Sequence, residues 1–437
     1  MTAALPHSSD ISRRFFIAAL FASFLGAFGL RVAMTAAFQG LNSPPSHDLG
    51  LDQLDYELFA HHLSTGEGYV TAPGVPTARR TPGTSLALLP VYTLAGRSYL
   101  AARLWWCLLS AVTTTAVGLL GAVAWSRTAG ALAAALSAFY PGHFYYAMHF
   151  VSEVPFGLWL AFGLLTLLLA FRRISFVMAA ASGLCWGLAI LTRSQIALVF
   201  PLLIVVSLGV VELRRHWRIQ LVTAIAAATI VTPWVMRNYL VFGKPTMALL
   251  LPGYTFWGAH NDIVLNDPKL QGLWIVMDRL VDEAHPLQGT EVDRDAAGRR
   301  YGREWLHNHW GNMPWLTVMK IWRLLTPFEA TGNRAVYAVF ALSWIVIAPF
   351  VACGLWMGAR QRPVETLVIA LPLLATVVST VLFYGSIRFR DAVSPTFLVF
   401  ASVPLAALCL RMFSQRQPIH CDVDAQPHPS EPLALTR

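Results

Sequence analysis

The chain has 437 residues, 56% of them hydrophobic and only 13% charged, with a formal net charge of +9. A soluble domain carries about a quarter charged residues, so this composition excludes a soluble enzyme and predicts an integral membrane protein that crosses the bilayer many times. It also argues against nucleic acid as a partner: the basic residues are arginine apart from Lys244, Lys269 and Lys320, and they sit at the ends of apolar runs rather than on one soluble face.

Arg13 and Arg14 open the first apolar run, 15–38. It is too long for a signal-peptide core and has no convincing cleavage site, so it reads as a retained span. Further runs of bilayer length, about 20 residues, fall near 98–123, 129–149, 153–171, 174–192, 195–212, 219–236, 336–358, 364–384 and 393–412, which predicts about ten transmembrane helices. Pro141-Gly142 interrupts the third. Arg127, the Arg172-Arg173 pair, the Arg214–Arg218 cluster, Arg360 with Arg362, and Arg411 with Arg416 all fall on the side of the N-terminus. The positive-inside tendency makes that side cytoplasmic, with both termini there, as in a bacterial inner membrane.

The organisation that follows is an N-terminal membrane module, 1–236, an outer segment, 237–335, C-terminal helices, 336–412, and a tail, 413–437. The tail is proline-rich, lacks apolar periodicity and is predicted to be disordered. Inside the first module an outer loop, 39–97, holds a short amphipathic helix (51–63), a Gly-Pro-rich turn (66–83) and an apolar run (85–94) too short to cross. In the second outer segment, "NMPWLTVMKIWRLLTPF" is amphipathic and suits the membrane surface. Four of the five cysteines lie inside apolar runs and no CxxC occurs, so neither a disulfide framework nor a zinc site is indicated.

The stretch "LDQLDYELFAHHLSTGEGY" concentrates Asp52, Asp55, Glu57 and Glu67, whereas only Glu153 and Glu212 occur between Tyr69 and Tyr239. On a helix Asp52, Asp55 and Tyr56 share one face, while Leu51, Leu54 and Leu58 share another. Such carboxylates can serve as a general base or form a solvated face favoured near a helix N-terminus. Arg79, Arg80, Arg193, Arg237, Arg388 and Arg390 all fall on the outer side, against the charge bias. They can bind a phosphate or snorkel to the interface. Glu153 can orient an acceptor, contact a metal or pair with one of these arginines. His61, His62, His143 and His149 match no strong metal-ligand spacing.

Several segments, taken in order, resemble the GT-C membrane glycosyltransferases: "DQLDYELFAHHLSTGEGY", "PTARRTPGTSLALLPVYTLAG", "YPGHFYYAMHFVSEVPF", "GLAILTRSQ", "TPWVMRNYLVFGKP" and "RFRDAVSPTFLVFAS". They are most similar to the family-39-type enzymes, the protein O-mannosyltransferases and the aminoarabinose (ArnT-like) transferases of lipid A. The resemblance implies an all-α GT-C-like bundle with a helical first outer loop and a larger mixed outer loop. It implies an inverting transfer of a sugar from a polyprenyl-phosphate donor to a glycan, lipid or protein acceptor on the outer face. Asp52, followed four residues later by Tyr56, matches the family's base position, with Asp55 as its rival. Arg80 matches the residue that contacts the lipid phosphate, Glu153 an acidic position of varied role, and Arg237, Arg388 and Arg390 are candidates to stabilise the leaving phosphate. The sequence departs from the family at Thr81 and Thr84, where relatives often carry proline and tyrosine. The sequence requires no cofactor, and divalent metal use differs between GT-C branches. The competing readings are a transporter or flippase of an anionic lipid-linked substrate and a non-catalytic assembly scaffold.

Overall fold

The computed structural model describes residues 10–414 except 49, 250 and 329–333. The predicted tail from 415 onward lies outside the described residues. α1 (Arg13–Phe38) crosses first and leads into α2 (Asp52–Ser64), a hairpin of β1 (Val70–Ala72) and β2 (Val75–Pro76), and α3 (Gly83–Ala95). α4 (Tyr99–Ala124) returns, and α5 (Arg127–Phe139) with α6 (Pro141–Ala147) make the next pass. Then come α7 (Glu153–Arg173), α8 (Phe176–Thr192), α9 (Val199–Gly209), the short α10 (Val211–Arg215) and α11 (Trp217–Phe242). The outer segment carries α12 (Leu251–Ala259), α13 (Asp262–Asn266), α14 (Glu291–Asn308) and α15 (Met313–Leu325). α16 (Arg334–Gln361), α17 (Pro363–Leu382), α18 (Ile387–Ala392) and α19 (Ser394–Ser414) complete the chain.

Among the described residues seven helices are long and apolar enough to cross a membrane: α1, α4, α7, α11, α16, α17 and α19. The other three expected passes are shorter. α8 and the 194–209 segment are apolar but below full length, and the run expected over 129–149 is two helices, not one. The physical reason is Pro141, which cannot donate to the helical ladder, so the chain turns extended at Tyr140. A break at this depth exposes carbonyls that lipid cannot satisfy. Arg31, fully buried on α1, meets them: its guanidinium donates to the carbonyls of Ser137 and Ala138 at 3.3 Å each. It also donates to Ala27 O, Ser110 Oγ and Thr114 Oγ1. An arginine at a helix centre costs about 3 kcal/mol to insert, and these bonds offset it. α4 and α5 approach closely through glycines, since a Cβ on Gly130 would collide with the Gly118 carbonyl.

At one end of the bundle Asp10 accepts from the backbone N–H groups of Arg127 and Thr128, Arg172 pairs with Glu365 at 2.9 Å, and Arg362 donates to Ala124 O. The opposite end holds α2, the hairpin, α3 and the outer segment. There the Gly-Pro-rich turn forms the β1–β2 pair, and the 85–94 run becomes α3, which carries Pro90 within it. α2 is buried more completely than its two-face pattern implied: Gln53 and Glu57 are enclosed along with Asp55 and Tyr56. Glu57 is matched by Arg97 at 2.7 Å and by the Tyr92 hydroxyl at 2.9 Å.

α15 is the predicted surface helix. It buries Leu316, Lys320 and Leu324 and exposes Trp315, Val318 and Trp322. The buried Lys320 ammonium donates to His260 Nε2 at 2.9 Å and to Val381 O, and His260 Nδ1 donates to Phe256 O. Burial and the adjacent Lys320 charge push His260 down to about 3, and burial pulls Lys320 down to about 8. The unfolded chain protonates His260 below about 6.5 and the folded one only near 3. The contact's contribution is therefore complete above pH 6.5 and is lost as pH falls toward 3. Thermal unfolding in detergent should show this loss, and His260→Gln, which still accepts from Lys320, should flatten that part of the profile.

Candidate functional site

Seven charged side chains meet where α2, the Thr77–Thr81 strap, α7, α8 and α18 converge. Asp55 is buried, and its two oxygens are taken separately by Arg79 and by Arg80, the latter at 3.0 Å. Arg80 also reaches Asp52 at 2.8 Å, and the other oxygen of Asp52 faces Arg388 at 3.2 Å. Arg388 bridges onward to Glu153 at 2.8 Å, where Arg193 joins from the end of α8 at 2.8 Å. Three carboxylates thus face four guanidinium groups, which leaves one positive charge in excess.

The local sequence explains each position. Asp52 and Asp55 stand in the first turn of α2, where the helix dipole favours acids. Glu153 opens α7 in the same way. Arg193 is the residue at which α8 ends, and Arg388 lies one residue into α18. Burial opposes the charge on Arg80, but Asp52, Tyr56 and Asp55 outweigh it and raise its pKa above the usual arginine value. For Arg388 burial is again opposed, by Glu153 and Asp52, and its pKa is held well above normal. These arginines are fixed cations on which an anion can dock. Among the acids, the Asp52 side chain is 25% exposed, against 7% for Asp55 and 3% for Glu153. Asp52 is therefore the carboxylate open to a second molecule. Tyr56 is buried beside it, with its ring 6.0 Å from the Arg80 guanidinium.

Two of the arginines expected here stand elsewhere. Arg237 donates to the carbonyls of Thr77 and Tyr69 and packs over Trp234 and Phe242, so it clips the hairpin to α11. Arg390 pairs with the buried Asp391, donates to Thr326 O and lies 4.2 Å from the Trp344 ring, which ties α18 to the end of α15 and to the body of α16. Both answer to carbonyls and rings rather than to the acids of α2. His61, His62, His143 and His149 do not gather either. Among the described residues no group of three or more His, Cys, Asp or Glu is placed to hold a metal ion, and Asp52, Asp55 and Glu153 are each occupied by guanidinium groups.

Other residues of the site carry no motif. Glu291, the first residue of α14, accepts from the Thr77 hydroxyl at 2.6 Å and from the Ala78 N–H at 3.0 Å. Together with Leu249 N–H on Ala78 O, Arg237 on Thr77 O and the Thr81 hydroxyl on Thr192 O, it fixes the strap that presents Arg79 and Arg80. The Thr-Glu-Val-Asp start of α14, a capping box, was the available signal for a helix start, but not for this contact. Tyr384, just ahead of α18, completes the wall. Burial, helped by the Asp52 carboxylate, pushes its hydroxyl up to about 12, against the opposing pull of Arg388, Arg193 and Arg80.

No family model and no curated protein matches the chain. Solved structures do. The oligosaccharyltransferase of Archaeoglobus fulgidus in its apo form aligns over 92% of this chain and 52% of its own, at 16% identity and a TM-score of 0.59. AglB of the same organism, in complex with an inhibitory peptide and a dolichol-phosphate, aligns over 92% and 51% at 13% identity and a TM-score of 0.56. ArnT from Cupriavidus metallidurans bound to undecaprenyl phosphate overlaps more loosely, over 91% and 76% at 15% identity and a TM-score of 0.40. The bundle therefore shares the all-α fold of these oligosaccharyltransferases. The chain spans about half the length of the oligosaccharyltransferases it matches.

Removing the Glu291 contact should loosen the strap locally. An opening eased by one buried, charge-assisted hydrogen-bond pair raises the open population about ten-fold. Trypsin should then cut after Arg79 or Arg80 about ten-fold faster in Glu291→Ala than in the wild type, with little change in the global unfolding temperature.

Proposed function

We propose that the chain is an inverting glycosyltransferase that moves a sugar from a polyprenyl-phosphate donor to an acceptor at the charged end of the bundle, the outer face of the membrane. The observation that carries this reading is the sharing of the half-open Asp52 carboxylate between Arg80 and Arg388, in a cluster with one surplus positive charge. A resting carboxylate held by two guanidinium groups has both oxygens engaged. A phosphate offers those guanidinium groups a better bidentate partner and the charge that the cluster lacks. Docking of the donor phosphate on Arg80 and Arg388 thus releases Asp52 at the moment an acceptor needs a base.

In the transfer, the acceptor oxygen or nitrogen attacks the anomeric carbon from the face opposite the phosphate. The new bond forms as the bond from the anomeric carbon to the phosphate oxygen breaks. The lipid phosphate leaves with the electron pair, stabilised by Arg80 and Arg388, and the acceptor's proton passes to Asp52. Arg193 and Glu153 hold Arg388 from behind, and Arg79 with Asp55 holds Arg80; these are positioning residues. The hydrocarbon of the donor stays in the membrane, which suits a site at the end of a lipid-embedded bundle. The AglB complex, of similar fold, holds a dolichol-phosphate, a ligand of the same chemical class.

Asp52→Asn preserves the shape of the side chain and removes the base. Transfer of radiolabelled sugar from polyprenyl-phosphate donors by the purified protein should fall by about 10²-fold or more, while thermal unfolding shows a folded variant. Wild-type turnover in that variant would remove Asp52 from the mechanism. Arg80→Gln should instead raise the donor concentration needed for half-maximal rate as well as lower the maximal rate.

A further inference from the structure

Next to the charged cluster lies a run of aromatic rings that the transfer chemistry does not use. Tyr384 stands four residues before Arg388, and its ring centroid is 4.8 Å from that of Phe389. On its other side Trp274 follows at 5.6 Å, and Tyr254, from α12, follows Trp274 at 5.7 Å. All three are half-buried. The far end reaches polar ground: Tyr254 lies within electrostatic reach of Asp278, which pairs with Arg294. The strip therefore leads from the reacting centre toward the outer segment.

The rings are held in place by backbone. Gly385 N–H donates to Gly272 O at 2.8 Å, which fastens the segment carrying Tyr384 to the one carrying Trp274. Ile275 N–H donates to Gly258 O at 3.0 Å, and a Cβ on Gly258 would stand 3.3 Å from Trp274 Cε3, so one side of the indole is seated on α12. Gly272 has a φ of +80°, and an added Cβ there would press into the α15 backbone at Met319 and Lys320. Rigid rings with little rotamer entropy to lose, each with a polar tip, suit a ligand whose faces are C–H and whose rim is hydroxyl.

We infer that the Tyr254–Trp274–Tyr384 strip is the binding site of a carbohydrate acceptor. A sugar ring can lay its C–H face on the indole and turn its hydroxyls toward the Tyr384 and Tyr254 edges and the Asp278–Arg294 rim. An alkyl chain has no use for those polar edges. The donor sugar is tethered to the phosphate at Arg80 and Arg388, and two centroid steps of 5.7 and 5.6 Å make a strip longer than one sugar ring. An acceptor of two or more linked sugars fills it, with its terminal hydroxyl presented at Asp52. This inference rests on the glycosyltransferase reading and narrows the acceptor class within it.

The test uses the full-length protein, a panel of radiolabelled polyprenyl-phosphate hexoses and pentoses, and two acceptor pools from a strain lacking the gene: its envelope carbohydrate and glycolipid fraction, and its envelope protein fraction. The expected result is protease-resistant label in the first pool. Trp274→Ala should raise the amount of that pool needed for half-maximal rate about five- to ten-fold, with the donor dependence unchanged, and Trp274→Phe should restore most of the loss. Label confined to polypeptide overturns the inference. So does a Trp274→Ala effect on the donor dependence alone, an unchanged acceptor dependence, or equal damage by Phe and Ala in variants that unfold at the wild-type temperature. Absence of label with every donor in the wild type overturns the glycosyltransferase reading itself, and this inference with it.

Discussion

The paired arrangement of Asp52, Asp55 and Glu153 with Arg79, Arg80, Arg193 and Arg388 is the constraint on which this end of the bundle depends. Each of these charges is costly to withdraw from water unless it meets an opposite one in good geometry. Here the partners come from five different places in the chain, so the ion pairs also fix how those places stand relative to one another. A shift of α2 would leave Arg80 without either of its carboxylates and Arg388 with Glu153 alone, and a shift of α18 would leave Glu153 with Arg193 alone. Such a network adds little net stability over an apolar core of the same volume. Its use is a single arrangement of guanidinium groups around one accessible carboxylate.

Around this centre the same chemistry serves fixed structure. Arg31, Arg237 and Arg390 donate to main-chain carbonyls, and Arg103 does likewise to Ser43, Pro44 and Met148. Glu291 and Asp295 take the reciprocal role, accepting from the Ala78 and Gly253 N–H groups. The irregular backbone near the membrane boundary is thereby satisfied by side chains instead of water. Arg31, Arg103 and Arg237 face carbonyls, and Arg390 faces a carbonyl together with its neighbour Asp391, whereas Arg80 and Arg388 face the acids of α2 and α7.

That distinction decides how much of the site was legible in the sequence. In a chain so poor in carboxylates, the acids of α2 and the lone Glu153 stand out, and charge bias puts the outer arginines on their side of the bilayer. Asp52, Asp55, Arg80, Glu153, Arg193 and Arg388 do come together. Nothing in "VMRNY" or "RFRD", however, says that Arg237 meets carbonyls or that Arg390 is occupied by its neighbour Asp391. Such pairings depend on tertiary placement. Hydropathy placed ten expected runs in order, of which seven are helices long enough to cross among the described residues, and it merged the halves of the broken third, although Pro141 was visible. Glu291 and Trp274 belong to the outer segment, which lacks the apolar periodicity that made the rest readable. Their partners, Ala78 and Tyr384, lie more than 100 residues away in the sequence.

The broken crossing and its arginine have a consequence for how the chain assembles. Arg31 belongs to α1, yet Ser110 and Ala138, two of its partners, lie 79 and 107 residues further on. Until those segments are made, the first helix carries a solitary cation with only its own Ala27 carbonyl for company. The arrival of α4 and α5 supplies the remaining acceptors, and at the same moment the gap at Tyr140 receives its donors. The buried cation of α1 and the break at Tyr140 thus satisfy each other, and neither is complete until α1, α4 and α5 are packed together.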